Sequence, residues 1–505
     1  GAVVVDADGS VRLGHPLYGE AARARASSSD TSTARKLLIA GYLDALRPTV
    51  AAFASEQPSA LLGDLDTATD VLRVGRWLLE DGSGGRAGSV DEVERRTVLA
   101  AAADLAARLG EIEAAADLAE AAVALGSSSS LAVLAEAQVR LGRIDEAAAT
   151  IARLWDELDP PTANVVRRGV QTELSVHLLH RHGIDAAAAA VEAALGRVED
   201  ADDVAFVRAA HAAFLAMVGE LGDADEHLRD LDAASPEVRL RAVPGRVAVL
   251  VAAGRIDEAV TMSETAFAEA LTVQAQVPEG LRWSVSALAN ALLTGGELER
   301  LAQLIELGRS FETVDSEVSA FRGLMEGRAL LFGGRGAEAR ATLGEAADWY
   351  GARDQRMRVR WLLALLAEAT LLTGDHAGAL VLADEARAAD RAHNLADHDA
   401  DRALAWVQAC AGGAAPSAAG PLAVANAARE AGARPFELLA LWDALRLTAS
   451  KEARRRIVGL APSITSPLAV LLGTAAAART GGELDAVAQA SADAGFTQWA
   501  AETAR

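Results

Sequence analysis

Apolar residues fall at helical spacing along most of this chain. Leu362, Leu365, Leu366, Ala369 and Leu372 sit at i, i+3, i+4, i+7 and i+10, which places them on one stripe of a helix, and Leu118, Ala121, Ala122 and Leu125 do the same earlier. The stripes are cut by a recurring phrase: a glycine, a few polar or small residues, then alanine opening the next stripe. Copies include Gly110-Glu111-Ile112-Glu113-Ala114, Gly142-Arg143-Ile144-Asp145-Glu146-Ala147 and Gly254-Arg255-Ile256-Asp257-Glu258-Ala259. The glycines at 110, 142, 183, 222, 254, 296, 334 and 374 are 32 to 42 residues apart. Glycine supplies the left-handed backbone that ends a helix, and an acid just after it suits the positive end of the next. A helix–turn–helix unit repeating at that length predicts an all-α chain, an α-solenoid whose hairpins form a superhelix.

Alternation appears only at the start. Val3 to Val5 and Val11 to Leu13 flank Asp8-Gly9, which predicts a short N-terminal β-hairpin. Pro16 suits the first turn of a following helix. Loops are expected at Gly82 to Gly85, Ser127 to Ser130, Asp159 to Pro161 and Gly412 to Gly420. The domain reading is a hairpin plus helix over 1–26, a helical connector over 33–98, well-formed repeats over 99–390 and degenerate helical repeats over 391–505. Twelve residues after each glycine, six of eight positions are small, as helix-on-helix packing needs. The units resemble tetratricopeptide repeats, but they are longer, irregular and lack that family's aromatic signature.

Composition agrees with thin, alanine-lined helix pairs: 51% of residues are hydrophobic, yet aromatics are only 4%. The net charge of −23 argues against binding a phosphate backbone. No apolar run approaches the ~20 residues of a membrane span, and the start of the chain has no signal-like pattern; a cytoplasmic location is the expectation. The lone Cys410 excludes an internal disulfide and reads as a buried small residue.

Motifs for chemistry are sparse. Neither Lys36 nor Lys451 lies in a Walker setting, and no Gly-x-Ser-x-Gly elbow exists. No catalytic residue, metal ligand or resident cofactor is expected, and the chain does not read as an enzyme. His177, His180 and His182, and His393, Asp397, His398, Asp399 and Asp401, match no zinc spacing and read as solvated helix ends. Arginine beside tryptophan is the more informative pattern: Arg76-Trp77, Arg282-Trp283 and Arg360-Trp361, the last within a basic stretch holding Arg353, Arg356 and Arg358. Arg282, Trp283, Arg356, Arg358, Arg360 and Trp361 are therefore the candidate ligand residues. On an inner wall they could clamp an anionic group and stack on a ring. Alternatively each tryptophan fills a gap between repeats and each arginine pairs with a nearby acid.

The phrase Val11-Arg12-Leu13-Gly14-His15-Pro16-Leu17-Tyr18-Gly19-Glu20 resembles the closing segment of the winged-helix module in large ATP-binding LuxR-family regulators, the MalT-like group of STAND ATPases. Leu72 to Gly82 resembles that family's segment before its sensor, and Ala494 to Glu502 the helix before its DNA-binding domain. The resemblance implies the effector-sensing region of a transcriptional regulator, which binds a small-molecule inducer or a protein in its groove and controls self-association. ATP would belong to an upstream ATPase module that this chain lacks. The alternative is a stand-alone repeat adaptor for peptides or proteins. Both readings assign no nucleic-acid or membrane partner to this segment.

Overall fold

The computed structural model describes residues 3–5, 11–13, 65–80, 91–157, 162–180, 183–274, 276–309, 317–353, 356–389, 391, 395–413, 415–497 and 499–500. Two short strands, β1 (Val3–Val5) and β2 (Val11–Leu13), pair antiparallel with Val3 opposite Leu13 and Val5 opposite Val11. The expected Asp8-Gly9 turn, the helix from Pro16 and the loops at 82–85 and 159–161 lie outside the described residues. All other regular structure among the described residues is helical, and no helix is long and apolar enough to cross a membrane.

Among the described residues, a helix α1 (Leu65–Glu80) precedes eleven hairpins. These are α2 (Glu92–Leu109) with α3 (Ile112–Ala124), α4 (Ser130–Arg140) with α5 (Ile144–Glu157), α6 (Ala163–His180) with α7 (Gly183–Leu195), and α8 (Ala201–Val218) with α9 (Leu221–His227). Next come α10 (Pro236–Ala252) with α11 (Ile256–Thr272), α12 (Gly280–Gly295) with α13 (Leu298–Arg309), α14 (Glu317–Phe332) with α15 (Gly336–Ala352), and α16 (Arg356–Leu372) with α17 (His376–Ala388). The last are α18 (Leu395–Ala411) with α19 (Ala419–Glu430), α20 (Arg434–Thr448) with α21 (Lys451–Leu460), and α22 (Pro467–Ala477) with α23 (Gly481–Asp493). The chain is thus an all-α repeat protein of stacked helix hairpins.

Seven of the eight glycines adopt the left-handed backbone at the hairpin corner. The exception is Gly222, which lies inside α9; Gly219, with φ 97°, ends α8 instead. The hairpins do not stop at residue 390. Beyond it Gly413 still takes a left-handed φ of 72° between α18 and α19, but the later hairpin corners differ, so the glycine phrase ceases to report them. Residues 412–418 join α18 to α19, Ala449 takes φ 50° after α20, and Thr480 with Glu483 forms a capping box on α23. Gly482 is helical and marks no corner. The serine stretch at 127–130 is a corner too, with Ser127 and Ser130 hydroxyls 2.8 Å apart at the start of α4.

The chain forms two compact units, Gly1–Ala137 with Asp156–Leu158, and Gln138–Trp155 with Asp159–Arg505. In the first, Gly75 of α1 lets that helix cross α2 closely; a Cβ there would lie 2.5 Å from that of Ala102. In the second, the first helix of each hairpin is buried on most sides, as in α12 and α20, while the second buries one stripe, such as Ala379, Ala383 and Ala386 of α17. Alanine at the crossings permits this close approach. First helices of successive hairpins pack together, and so do first helices five hairpins apart: α6 with α16, α8 with α18, α10 with α20, and α12 with α22.

These distant hairpins are fastened at the corner glycines. The Thr465 amide donates to the Gly254 carbonyl at 2.8 Å, and the Asp257 amide donates to the Thr465 carbonyl at 3.2 Å. Side-chain-free backbone is needed there, because a Cβ on Gly254 would stand 2.9 Å from Ile464 Cγ1. Gly142 meets the Arg353 backbone in the same way, with a Cβ 2.6 Å from its carbonyl oxygen.

Gly254→Ala and Gly374→Ala separate these two roles. Both glycines are left-handed, but nothing lies within 4 Å of a Cβ on Gly374. The left-handed backbone costs alanine about 1–2 kcal/mol at either site. Gly254→Ala is expected to cost more and to strip hydrogen-exchange protection from the Thr465 and Asp257 amides, whereas Gly374→Ala leaves both protected.

Candidate functional site

Several first helices of the second unit begin with acids: Asp202 and Asp203 in α8, Glu237 in α10, Glu317 in α14 and Asp397 in α18. Carboxylates are favoured at these positive helix ends. Stacking the first helices side by side brings those turns next to arginines of neighbouring hairpins. Arg167 of α6 donates to Asp203 at 2.6 Å, to Asp202 at 3.0 Å and to Glu237.

Two of the six candidate residues, Arg282 and Arg358, meet around Glu317. Arg282 approaches it at 3.8 Å and Glu279 at 4.0 Å. Burial pushes the Glu317 carboxyl up, but Arg282, Arg358 and Arg140 together outweigh that and hold it below its usual value. Its side chain is 26% exposed, so solvent still reaches it. Arg358 donates to the Tyr350 hydroxyl at 3.0 Å and lies 5.3 Å from the Phe321 ring centre. Tyr350 is fully buried, and burial pushes its hydroxyl up to about 12 despite Arg358. Trp283 is buried beneath Arg241, whose guanidinium stands 5.4 Å from its ring. Arg241 is itself only 8% exposed, and its Nε has no hydrogen-bond partner among the described residues. Burial lowers it to about 10, against the pull of Glu279.

Arg360 and Trp361 lie elsewhere. Arg360 is buried and donates to Asp397 at 2.8 Å and Asp401 at 2.6 Å. The Trp361 indole donates to Asp399 at 2.8 Å. Here the arginine pairs with nearby acids and the tryptophan fills the space between repeats. The Arg356 side chain is outside the described residues, as are those of His180, His182 and His393; that of His177 lies 3.9 Å from Glu173.

The aspartates expected at a solvated helix end are buried instead. Asp399 has no exposed surface and receives Arg328 at 2.7 Å and Arg402 at 3.2 Å. Arg402 continues to Glu368 at 2.5 Å and to Asp443 at 2.9 Å, and Arg446 closes on Asp443 at 2.9 Å beneath the Trp406 ring. The spacing of Asp397, Asp399 and Asp401 hid this, since alternate acids on a helix look like surface charge. Burial pushes Asp399 up, yet Arg328 and Arg402 prevail and hold it at about 2. Glu368 has the opposite balance: burial raises it more than Arg402 lowers it. Cys410, read as buried, is half-buried at the edge of this region.

Arg140, Arg241, Glu317 and Tyr350 were missed from the sequence. An acid and an arginine at i and i+4, Glu237 and Arg241, opening α10 were the available signal. Which arginines share a carboxylate depends on the stacking of hairpins, which no local pattern encodes.

No family model matches the chain, and no curated protein matches it by sequence. Among solved structures it is similar to the anaphase-promoting-complex hetero-tetramer Cut9–Hcn1, at 12% identity over 91% of this chain and 98% of that one, with a TM-score of 0.35. It is also similar to the pentatricopeptide repeat protein PPR10 from maize, at 14% identity over 92% and 76% of the two chains and a TM-score of 0.27. A circular tandem repeat protein is similar at 17% identity over 94% and 98%, with a TM-score of 0.13. These likenesses are shallow, and the repeat architecture stands on the chain's own helices.

Asp399 and Glu368 give opposite expectations. Asp399→Asn leaves Arg328 and Arg402 under-compensated and is expected to cost about 3–5 kcal/mol at neutral pH. Glu368→Gln is expected to cost about 1 kcal/mol or less, the worth of an ordinary hydrogen bond. A depressed carboxylate stabilises the fold fully above its unfolded value of 3.8 and loses that contribution as pH falls toward about 2. Hydrogen exchange across α18 between pH 4 and 2 should therefore show a stability loss that Asp399→Asn flattens. Glu368, raised on folding, opposes stability at neutral pH and is relieved on acidification, so Glu368→Gln should leave that loss in place.

Proposed function

We propose that this chain is the effector-receiving arm of a larger LuxR-type regulator, and that an anionic effector meets it at Arg241, Arg282 and Arg358. The observation that carries this reading is a cluster of arginines among the described residues. Arg140, Arg282 and Arg358 act on Glu317, and Arg241 and Arg282 lie by Glu279, inside a chain of net charge −23. Trp283, Phe321 and Tyr350 stand beside those guanidiniums, and Phe321 is the partly exposed ring of the three. Such a site binds and orients; it assigns no residue a catalytic role.

Support for the regulator comes from the phrase opening at Val11, whose first three residues lie on a paired strand. In this reading the effector acts by binding two arrangements of the stacked hairpins unequally, since equal affinity shifts nothing. The adaptor alternative draws on exposed apolar side chains of second helices, Leu271, Leu307 and Val381 among them. The reading frame around the chain separates the two: the regulator needs a Walker motif upstream and a helix-turn-helix downstream.

The binding test uses the compound retained by the protein from its native host, identified by native mass spectrometry. Each charge-assisted hydrogen bond contributes about 1.5–3 kcal/mol. Arg282→Ala combined with Arg358→Ala is thus expected to weaken retention by about 100-fold or more. A folded double variant that keeps the compound, or a retained compound that is cationic, refutes the assignment.

A further inference from the structure

A second site lies on another stripe of α18. Asp401, Leu404, Ala405 and Gln408 recur at i, i+3, i+4 and i+7 and form the floor of an open groove of about 670 Å³. Arg387, in the last turn of α17, and Pro421 and Val424 of α19 also line it. The groove exists because residues 412–418 form a long corner, where Gly110 and Glu111 suffice between α2 and α3. Ala415 and Ser417 of that corner complete the lining.

Leu404, Ala405, Pro421 and Val424 give the groove its apolar part. Arg360, Arg387 and Arg391 line it, and among the described residues Asp401 is the one carboxylate of the lining. Asp401 accepts from Arg360 at 2.6 Å and from Arg391 at 2.8 Å. Arg387 donates to the Gln408 side-chain oxygen at 3.1 Å and to Asp384 at 2.7 Å. Asp384 stands outside the lining and is 78% exposed, while Arg387 and Arg391 are 39% and 50% exposed. Ion pairs this exposed hold weakly, so an incoming anion can take over the guanidiniums. Asp401 disfavours a multiply charged group in the same rim, which selects a single negative charge. The volume is that of a small-molecule site.

We propose that this groove binds a small amphipathic carboxylate, with its apolar body over Leu404, Ala405 and Val424 and its carboxylate held by Arg387 and Arg391. The site is independent of the cluster at Glu317.

Calorimetry on the whole chain tests it, with decanoate, decanol and decyltrimethylammonium as probes below their micellar concentrations. One decanoate per chain is expected, with decanol about tenfold weaker or worse for want of the charged hydrogen bonds, and no binding of the cation. Arg387→Gln with Arg391→Gln should weaken decanoate about tenfold or more. Ala405→Trp should abolish binding by filling the groove, and Arg282→Ala with Arg358→Ala should leave it unchanged. The two glutamine substitutions are at exposed positions and keep the test available if the tryptophan variant does not fold. Absence of saturable decanoate binding, decanol binding as tight as decanoate, full affinity in the glutamine variant, or loss of binding on changing Arg282 and Arg358 overturns the proposal.

Discussion

The hydrogen bonds to Asp399 are the interaction on which the packing of α14, α16 and α18 depends. One fully buried carboxylate receives Arg328 from α14, Trp361 from α16 and Arg402 from its own helix. Through Arg402 the chain of charges reaches Glu368 and Asp443, and so α20. A charge taken out of water is costly unless it is paired and hydrogen-bonded, and here Arg402 is shared among Asp399, Glu368 and Asp443. The cause lies in the small side chains. Alanine at the crossings draws the first helices together, and the acids and arginines they carry are enclosed with them.

That cause also explains what the sequence disclosed. Helical spacing and the glycine phrase reveal the hairpins, because both are local properties of a few residues. Gly219 was overlooked in favour of Gly222 because Leu221-Gly222-Asp223-Ala224 copies the phrase while sitting one turn too late. After residue 390 the corners use a long connection, an alanine at φ 50° and a capping box, so identical architecture goes unannounced. Of the candidate residues, Arg282 and Arg358 both act on Glu317, whereas Arg360 and Trp361 belong to the ion chain, and only the stacking decides which. Buried and exposed aspartates look alike in a one-dimensional pattern.

The two charged regions differ in kind. Around Asp399, arginines and acids saturate one another, and the outcome is cohesion. Around Glu317, Arg140, Arg282 and Arg358 gather on one partly exposed carboxylate, and it is there that we propose a guest is received. In both, a carboxylate near the start of a first helix meets arginines arriving from neighbouring hairpins, Glu317 partly exposed and Asp399 fully buried.

The docking of corners five hairpins apart has a consequence for how such a chain can change. Thr465 reaches Gly254 across 211 residues, and the pairing holds only if the intervening count of hairpins is kept. In an ordinary solenoid a unit can be gained or lost anywhere, because each touches only its neighbours. Here an added or deleted hairpin would shift every later corner out of register with its seat. Length variation in the interior is thereby confined to whole turns, while single units remain free to come and go at the ends.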